Sequence, residues 1–389
     1  MRKELLPYNL PFVGDAEITA VSEVLRSGWL TTGARARELE QRVTQLTGTR
    51  HAVAVNSCTA GLHLALVALG IGPGDEVIVP DMTFCATANA VIHAGARPVI
   101  VDVERDSYQI DPRAVEKAIT PRTRAILPVH YGGQACDMDA ILSIARGGRL
   151  FVVEDGAHAL GAEYKGRRVG EMGDVASFSF HATKNVTAGE GGVVTTNDQR
   201  LSERIRRLAL HGLSRDAWNR YAAQGTWQYQ VTECGYKYNL TDIAAALAVC
   251  QLERLDFFQR RRAELARLFT ESLAKLPGLT TRRVRPESSH MWHLFVVEVD
   301  PVAAGLTRDA LVAELRARNI ATSVHFIPLH QHPAYSAYVA GKDFPRAEAI
   351  FGRIVSLPLY PKMSDEDARD VIEALSDAVR QRRCAERPC

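Results

Sequence analysis

The chain has 389 residues, is 46% hydrophobic and 24% charged, and carries a formal net charge of +2. That length accommodates two domains or one large α/β body with an appended lobe, and the near balance of charge gives no electrostatic case for nucleic acid or a membrane surface. No apolar run approaches the roughly 20 residues that span a bilayer, and the opening MRKELLPYNLPF lacks the core of a signal peptide, so a cytoplasmic protein is expected.

The arginine clusters ERIRRL, QRRRAEL and VRQRRC are interrupted by apolar residues at helical spacing and read as solvated helix faces. The seven cysteines are odd in number, scattered and never spaced C-x-x-C, which argues for reduced thiols and against a zinc site.

In chain order, DAEITAVSEVLRSG reads as a helix capped by Asp15, with Ile18, Val21 and Leu25 on its packed face and Gly28 as its stop. From about Ala52 to Val194, short β-branched runs (AVAV, EVIVP, RPVIVDV, RAILPV, LFVVED, GGVVTT) alternate with helical stretches such as TAGLHLALVALG and DMDAILSIAR. This alternation predicts a mostly parallel sheet covered on both faces, with ligands at the carboxyl ends of its strands. Next comes one long helical pattern, TDIAAALAVCQLERLDFFQRRRAELARLFTESLAKL, and then a mixture of strands (HLFVVEVD) and helices (TRDALVAELRARN, SDEDARDVIEALSDAVRQRR). The expected division is a large α/β domain over 1–250 and a smaller α+β domain over 251–389.

Three features converge on one chemistry. In VNSCTAGLHLAL a strand ends and a helix starts near Thr59, so Ser57 and Thr59 can hold a phosphate or merely cap the helix. No P-loop and no G-x-G-x-x-G opening a helix after a strand occurs, so a nucleotide fold finds little support. LFVVEDGAHALGA ends a strand on Glu154 and Asp155, which alternation sends to opposite faces, so one of them can face a site. A carboxylate there either caps the next turn or keeps a heterocyclic nitrogen protonated, as pyridoxal phosphate requires. Lys184, in SFSFHATKN, is a lysine able to carry that cofactor, and Phe84, in PDMTF, is an aromatic able to stack on its ring.

The ordered series SGWLTTG, NSCTAGLHLAL, GDEVIVPDMTF, ATANAV, PVHYGG, VEDGAHALGA, SFSFHATKN, GEGG, YKYNLTDI and IPLH, from about Tyr8 to Pro361, resembles the DegT/StrS-type sugar aminotransferases, above all the sugar-nucleotide C4 aminotransferases. The resemblance implies a pyridoxal-phosphate enzyme of fold type I, a homodimer with shared active sites, and a sugar nucleotide (UDP- or dTDP-linked) with glutamate and 2-oxoglutarate as partners. By motif it places the Schiff-base lysine at Lys184, the pyridine-nitrogen acid at Asp155 and a residue beside the ring at His158. Phosphate ligands fall at Ser57, Cys58, Thr59 and Ser179, and the stacking aromatic at Phe84. GYKYNL stands where GYNYRM is common, so either Lys237 or Asn239 reaches the neighbouring subunit; Asn239 is assigned to the cofactor phosphate and Lys237 to the substrate. Gly28, Trp29, Thr31, His325 and His330 are assigned to the substrate entrance.

Histidines in HMWH (His290, His293) and HFIPLHQH show no H-E-x-x-H pattern and are not read as a metal site. The absence of a G-x-S-x-G elbow removes a serine hydrolase. The remaining rivals are a C3 aminotransferase, the sugar dehydratase branch, which carries histidine where this chain has Lys184, and a non-catalytic regulatory protein.

Overall fold

A computed structural model describes residues 2–214 and 229–385, the side chains of 381–385 excepted. Seven strands form the main sheet: β1 (His51–Val55), β2 (Glu76–Pro80), β3 (Arg97–Val101), β4 (Thr123–Ile126), β5 (Phe151–Asp155), β8 (Val175–Ser179) and β9 (Gly192–Thr196), in the order β1-β9-β8-β5-β4-β2-β3. A hairpin of β6 (Glu163–Tyr164) and β7 (Arg167–Arg168) lies outside it. Pairing is parallel from β3 through β8, while β9 is antiparallel to both of its neighbours. Because β9 alone is reversed, the carboxyl ends of β1, β2, β4, β5 and β8 gather along one edge.

Strand alternation divides the side chains between two cores. Val53, Val55, Val77, Val79 and Val153 pack with the helix Cys58–Ala68, whereas Ala52, Ala54, Ile78 and Val152 pack with Leu39 and Val43 of Ala34–Thr47 and with Ala245 and Ala248 of Asp242–Glu253. A second sheet, β10 (Leu279–Thr280), β11 (Phe295–Val299) and β12 (Ile354–Leu357), is antiparallel and supports a third core that also takes Leu6 from the start of the chain.

Two expectations need correction. The first helix, Asp15–Ser27, is capped by Gly14 and not by Asp15: Glu17 reaches back to the Gly14 N–H at 2.8 Å. Its buried residues are Glu17 and Val24, while Ile18 is 59% and Leu25 54% exposed. Glu17 is drawn inward because Gln251 and Arg254 are there to receive its carboxylate, at 2.8 and 3.3 Å. The long helical pattern after residue 241 is two helices, Asp242–Glu253 and Leu255–Leu273, with Arg254 between them outside helical geometry. The first packs on Asp15–Ser27 and Ala34–Thr47, while the second sends Leu265, Phe269 and Leu273 into the third core, so the chain turns where it changes core.

Among the described residues, Cys58, Cys85, Cys136, Cys234 and Cys250 are free thiols; Cys389 lies outside those residues, as does the side chain of Cys384. No described helix is long and apolar enough to cross a membrane.

Candidate active site

The two acids that end β5 face opposite ways. Glu154 is fully buried and saturated: Oε2 meets His130 Nε2 at 3.0 Å and the Gly170 N–H at 3.3 Å, and Oε1 accepts the Gly173 N–H at 2.7 Å. The Cys136 N–H donates to His130 Nδ1 at 3.1 Å, so the His130 proton sits on Nε2 and points at Glu154. Asp155 instead lines a cleft of about 360 Å³. Its Oδ2 accepts from Thr87 Oγ1 at 2.8 Å and its Oδ1 from the Ala157 N–H at 3.1 Å. Burial raises its pKa against the pull of those two donors and of Lys184. A further cationic donor in the cleft would therefore hold Asp155 ionised.

The helix Cys58–Ala68 starts at the same cleft. Ser57 caps it, accepting the Ala60 N–H at 3.1 Å, which leaves the earlier N–H groups of Cys58 and Thr59 for a ligand at the positive end of the helix. Gly192 makes this approach possible: a Cβ there would stand 2.6 Å from Cys58 N. Ser179, at the end of β8, also lines the cleft.

Lys184 enters from the β8–β9 connection. It is half-buried by surface, and desolvation brings its pKa down to about 8 against the counter-pull of the nearby Cys58 and Asp155. Phe84, 58% exposed after β2, stands across the opening with Phe326, ring centroids 5.9 Å apart.

The turn Tyr131–Gly133 braces the other wall. Gly132 and Gly133 have φ of 67° and 105°, a left-handed region that favours glycine. The Gly132 N–H donates to His158 Nδ1 at 3.1 Å, while its carbonyl accepts the N–H groups of His293 and Leu294 at 3.0 and 3.2 Å. One glycine thus fixes His158 and the segment that leads from His293 into β11. The two imidazoles lie with ring centroids 4.3 Å apart, and burial holds both far below the usual histidine pKa. His325 joins them in the lining, its Nδ1 2.9 Å from Ser356 Oγ, and burial together with Lys184 lowers its pKa to about 4.

Ser57, Cys58, Thr59, Phe84, Asp155, His158, Ser179, Lys184 and His325 therefore share one cleft. Gly28, Trp29, Thr31, Lys237 and Asn239 do not join it. Gly28 terminates the first helix, Trp29 Nε1 donates to Thr32 O at 3.1 Å, and Thr31 O accepts the Asp242 N–H at 3.1 Å. Asn239 Nδ2 donates to Thr32 Oγ1 at 2.7 Å, and Lys237 Nζ donates to Asn239 Oδ1. His330 is turned away: Nδ1 lies 2.5 Å from buried Asp81, and its ring stacks on Phe344, centroids 4.9 Å apart. Its place outside the cleft follows from Asp81, a fully buried carboxylate that takes both the His330 ring and its backbone N–H.

Two residues at the site, Thr87 and Asn185, escape a reading of the sequence, and His293 stands out there only as a histidine without a metal pattern. Thr87 stands one helical turn past Thr83, and Asn185 follows the lysine directly. Neither spacing reveals a partner so distant in sequence.

Residues 11–376 match the DegT/DnrJ/EryC1/StrS aminotransferase family. The chain belongs to this family. It is 51% identical over 382 residues to the spore coat polysaccharide biosynthesis protein SpsC of Bacillus subtilis (strain 168), covering 97% of this chain and 98% of SpsC. Among solved structures it is similar to Spr1654 from Streptococcus pneumoniae in its PMP form, with TM-score 0.89 and 35% identity over 97% of this chain and all of that one. It is likewise similar to DesI in the presence of its TDP-sugar product, with TM-score 0.88 and 33% identity over 99% and 95% of the two chains. Like its family, it is a pyridoxal-phosphate-dependent aminotransferase of fold type I. The cleft fits the cofactor: the approach that Gly192 permits would leave the Cys58 and Thr59 N–H groups to a phosphate, and Asp155, which lines the cleft with two donors, would accept another from a pyridinium.

Proposed function

We infer that the enzyme moves an amino group from an amino acid, glutamate, to a keto sugar nucleotide, at C4 of a 4-keto-6-deoxy hexose or 4-keto pentose. The observation that carries the reaction class is the gathering of Lys184, Asp155 and a helix start in one cleft. The sugar rests on similarity to a polysaccharide biosynthesis protein and to DesI, solved with a TDP-sugar product.

Ser57, Cys58, Thr59 and Ser179 would hold the phosphate, Phe84 and His158 the ring, and Asp155 the ring nitrogen. When bound, the cofactor supplies a carrier for the amino group and a sink for the electron pair released at the substrate carbon. The chain's own part is proton transfer and exclusion of water. A Lys184 Nζ with a pKa near 8 is deprotonated often enough at neutral pH to take the Cα proton of the amino acid and to deliver it again. The ionised Asp155 keeps the ring nitrogen protonated throughout. Neutral His158, with Nδ1 taken by the Gly132 N–H, would carry its proton on Nε2 and offer an uncharged donor beside the ring.

Lys237 and Asn239 lie together outside their own cleft, beside Thr32, which accords with a role in the site of a second copy. The reading is a homodimer with shared sites, a cytoplasmic location and two domains over 1–250 and 251–389. Mixing Lys184→Ala with Asn239→Ala subunits tests the sharing: exchange should produce one intact site per mixed dimer and restore part of the activity, whereas a site built within one chain would stay inactive. Regiochemistry is tested by incubating the enzyme with glutamate and a panel of UDP- and dTDP-linked 3-keto and 4-keto sugars and locating the nitrogen by NMR. Amination at C4 is expected; nitrogen at C3 alone, with 4-keto sugars untouched, would overturn it.

A further inference from the structure

Beside Lys184, the side chain of Asn185 is locked by two contacts. Its Nδ2 donates to the Met291 carbonyl at 2.6 Å, which settles the amide orientation, since Oδ1 at that place would meet a second acceptor. Oδ1 therefore faces His293 Nδ1, 3.2 Å away, and can only accept. The proton of His293 is then on Nδ1, and Nε2 carries a bare lone pair. His293 is 6% exposed and lines the cleft. With Nδ1 committed to Asn185, Nε2 is the nitrogen left for a ligand.

His158, Lys184, Arg262 and His325 all oppose a positive charge on His293, while the carboxylates that line the same cleft are Asp155 and Glu190. Arg262 is itself fully buried, held by the Trp292 and Leu359 carbonyls at 3.1 and 2.7 Å. An uncharged donor, a hydroxyl, suits the lone pair best. An amino-acid ammonium does not.

We propose that His293 accepts a hydrogen bond from a hydroxyl of the acceptor sugar and that Asn185 is the positioning residue that holds His293 in the tautomer this requires. The inference rests on the keto-sugar reading above and deepens it. It assigns the discrimination between the two half-reactions to a residue pair other than the lysine and the acid: the amino acid offers no hydroxyl for Nε2, and the sugar does.

Two measurements test it. In the cofactor-free protein labelled with 15N at histidine, long-range proton–nitrogen NMR, assigned with His293→Leu, should show His293 protonated on Nδ1. Protonation on Nε2 would overturn the proposal. In the holoenzyme, single-turnover kinetics should separate the glutamate half-reaction from the return half-reaction with dTDP-4-keto-6-deoxyglucose and the rest of the keto-sugar panel. Asn185→Ala should lower kcat/KM for the sugar by roughly 10- to 100-fold, mostly through KM, and at least ten times more than for glutamate. Equal losses in both halves would mean a merely structural role and would overturn it. Asn185→Asp provides a second arm if the alanine variant does not fold. A carboxylate beside Nδ1 favours the imidazolium, so Nε2 gains a proton as pH falls, and the sugar profile should acquire an acid limb moved upward by about one to two pH units. An unchanged profile counts against the proposal. A wild-type enzyme that takes nitrogen from glutamate yet aminates no keto sugar would sink the sugar reading and with it the hydroxyl, while the tautomer would still be decided by NMR.

Discussion

Glu154 and Asp155 are neighbours in sequence, both buried, and opposite in circumstance. Behind the sheet, Glu154 has one histidine N–H and two backbone N–H groups, at 3.0, 3.3 and 2.7 Å, and nothing further to offer. In front of it, Asp155 has two donors, at 2.8 and 3.1 Å, and a raised pKa that a cationic ligand would relieve. The same chemistry thus serves structure on one face and is left reactive on the other. What separates them is whether the surrounding backbone consumes the carboxylate or leaves it open to a cleft.

The comparison can be broken from either side. The largest effect is expected on the cleft side, where Lys184→Ala should fold and lose at least about 1,000-fold in turnover, as the removal of a group that no other side chain replaces does; turnover within tenfold of wild type would contradict the assignment. Asp155→Ala should follow, with kcat for the glutamate half-reaction falling on the order of 100-fold while amino-acid binding changes little, since the lost interaction counts most when charge develops on the ring. Stopped-flow kinetics at saturating glutamate measure it. Glu154→Ala should reverse the pattern. It orphans the His130 ring and the Gly170 and Gly173 N–H groups, so a loss of about 3 kcal/mol in stability is expected by denaturant titration, with kcat of the surviving enzyme within a few-fold of wild type. A catalytic collapse without a stability loss would dissolve the distinction.

The smallest effect concerns protonation. In the cofactor-free protein, competitive acetylation of Lys184 should titrate with a midpoint near pH 8, where burial has placed it. Because Asp155 raises the Lys184 pKa, Asp155→Ala should move that midpoint downward. An upward shift would show that the two groups do not sense each other.

Much of this division is legible in the amino-acid sequence. Alternation along LFVVED separates Glu154 from Asp155, and a strand running into NSCTAG marks a helix start with free N–H groups. Ser57 is legible as a possible cap and is one, accepting the Ala60 N–H at 3.1 Å, a local bond that contributes about 1 kcal/mol. Features of this kind are decided locally. Less legible is anything decided by a distant partner. Asp15 has the chemistry of an N-cap, yet Glu17 satisfies the Gly14 N–H and turns inward, because Gln251 and Arg254 arrive from more than 230 residues away to hold it. Helical spacing puts Ile18 and Leu25 on a packed face, but the chain's other elements cover Val24 instead. His330 sits in a motif that resembles an entrance and is claimed by Asp81, 249 positions earlier.

The central claim is that one cleft carries the chemistry and that Lys184 is its reactive amine. Borohydride reduction of the enzyme reconstituted with pyridoxal phosphate, followed by peptide mass spectrometry, tests this directly: the cofactor mass should appear on the peptide containing Lys184 and disappear in Lys184→Ala, whereas stoichiometric cofactor on any other lysine would contradict the account.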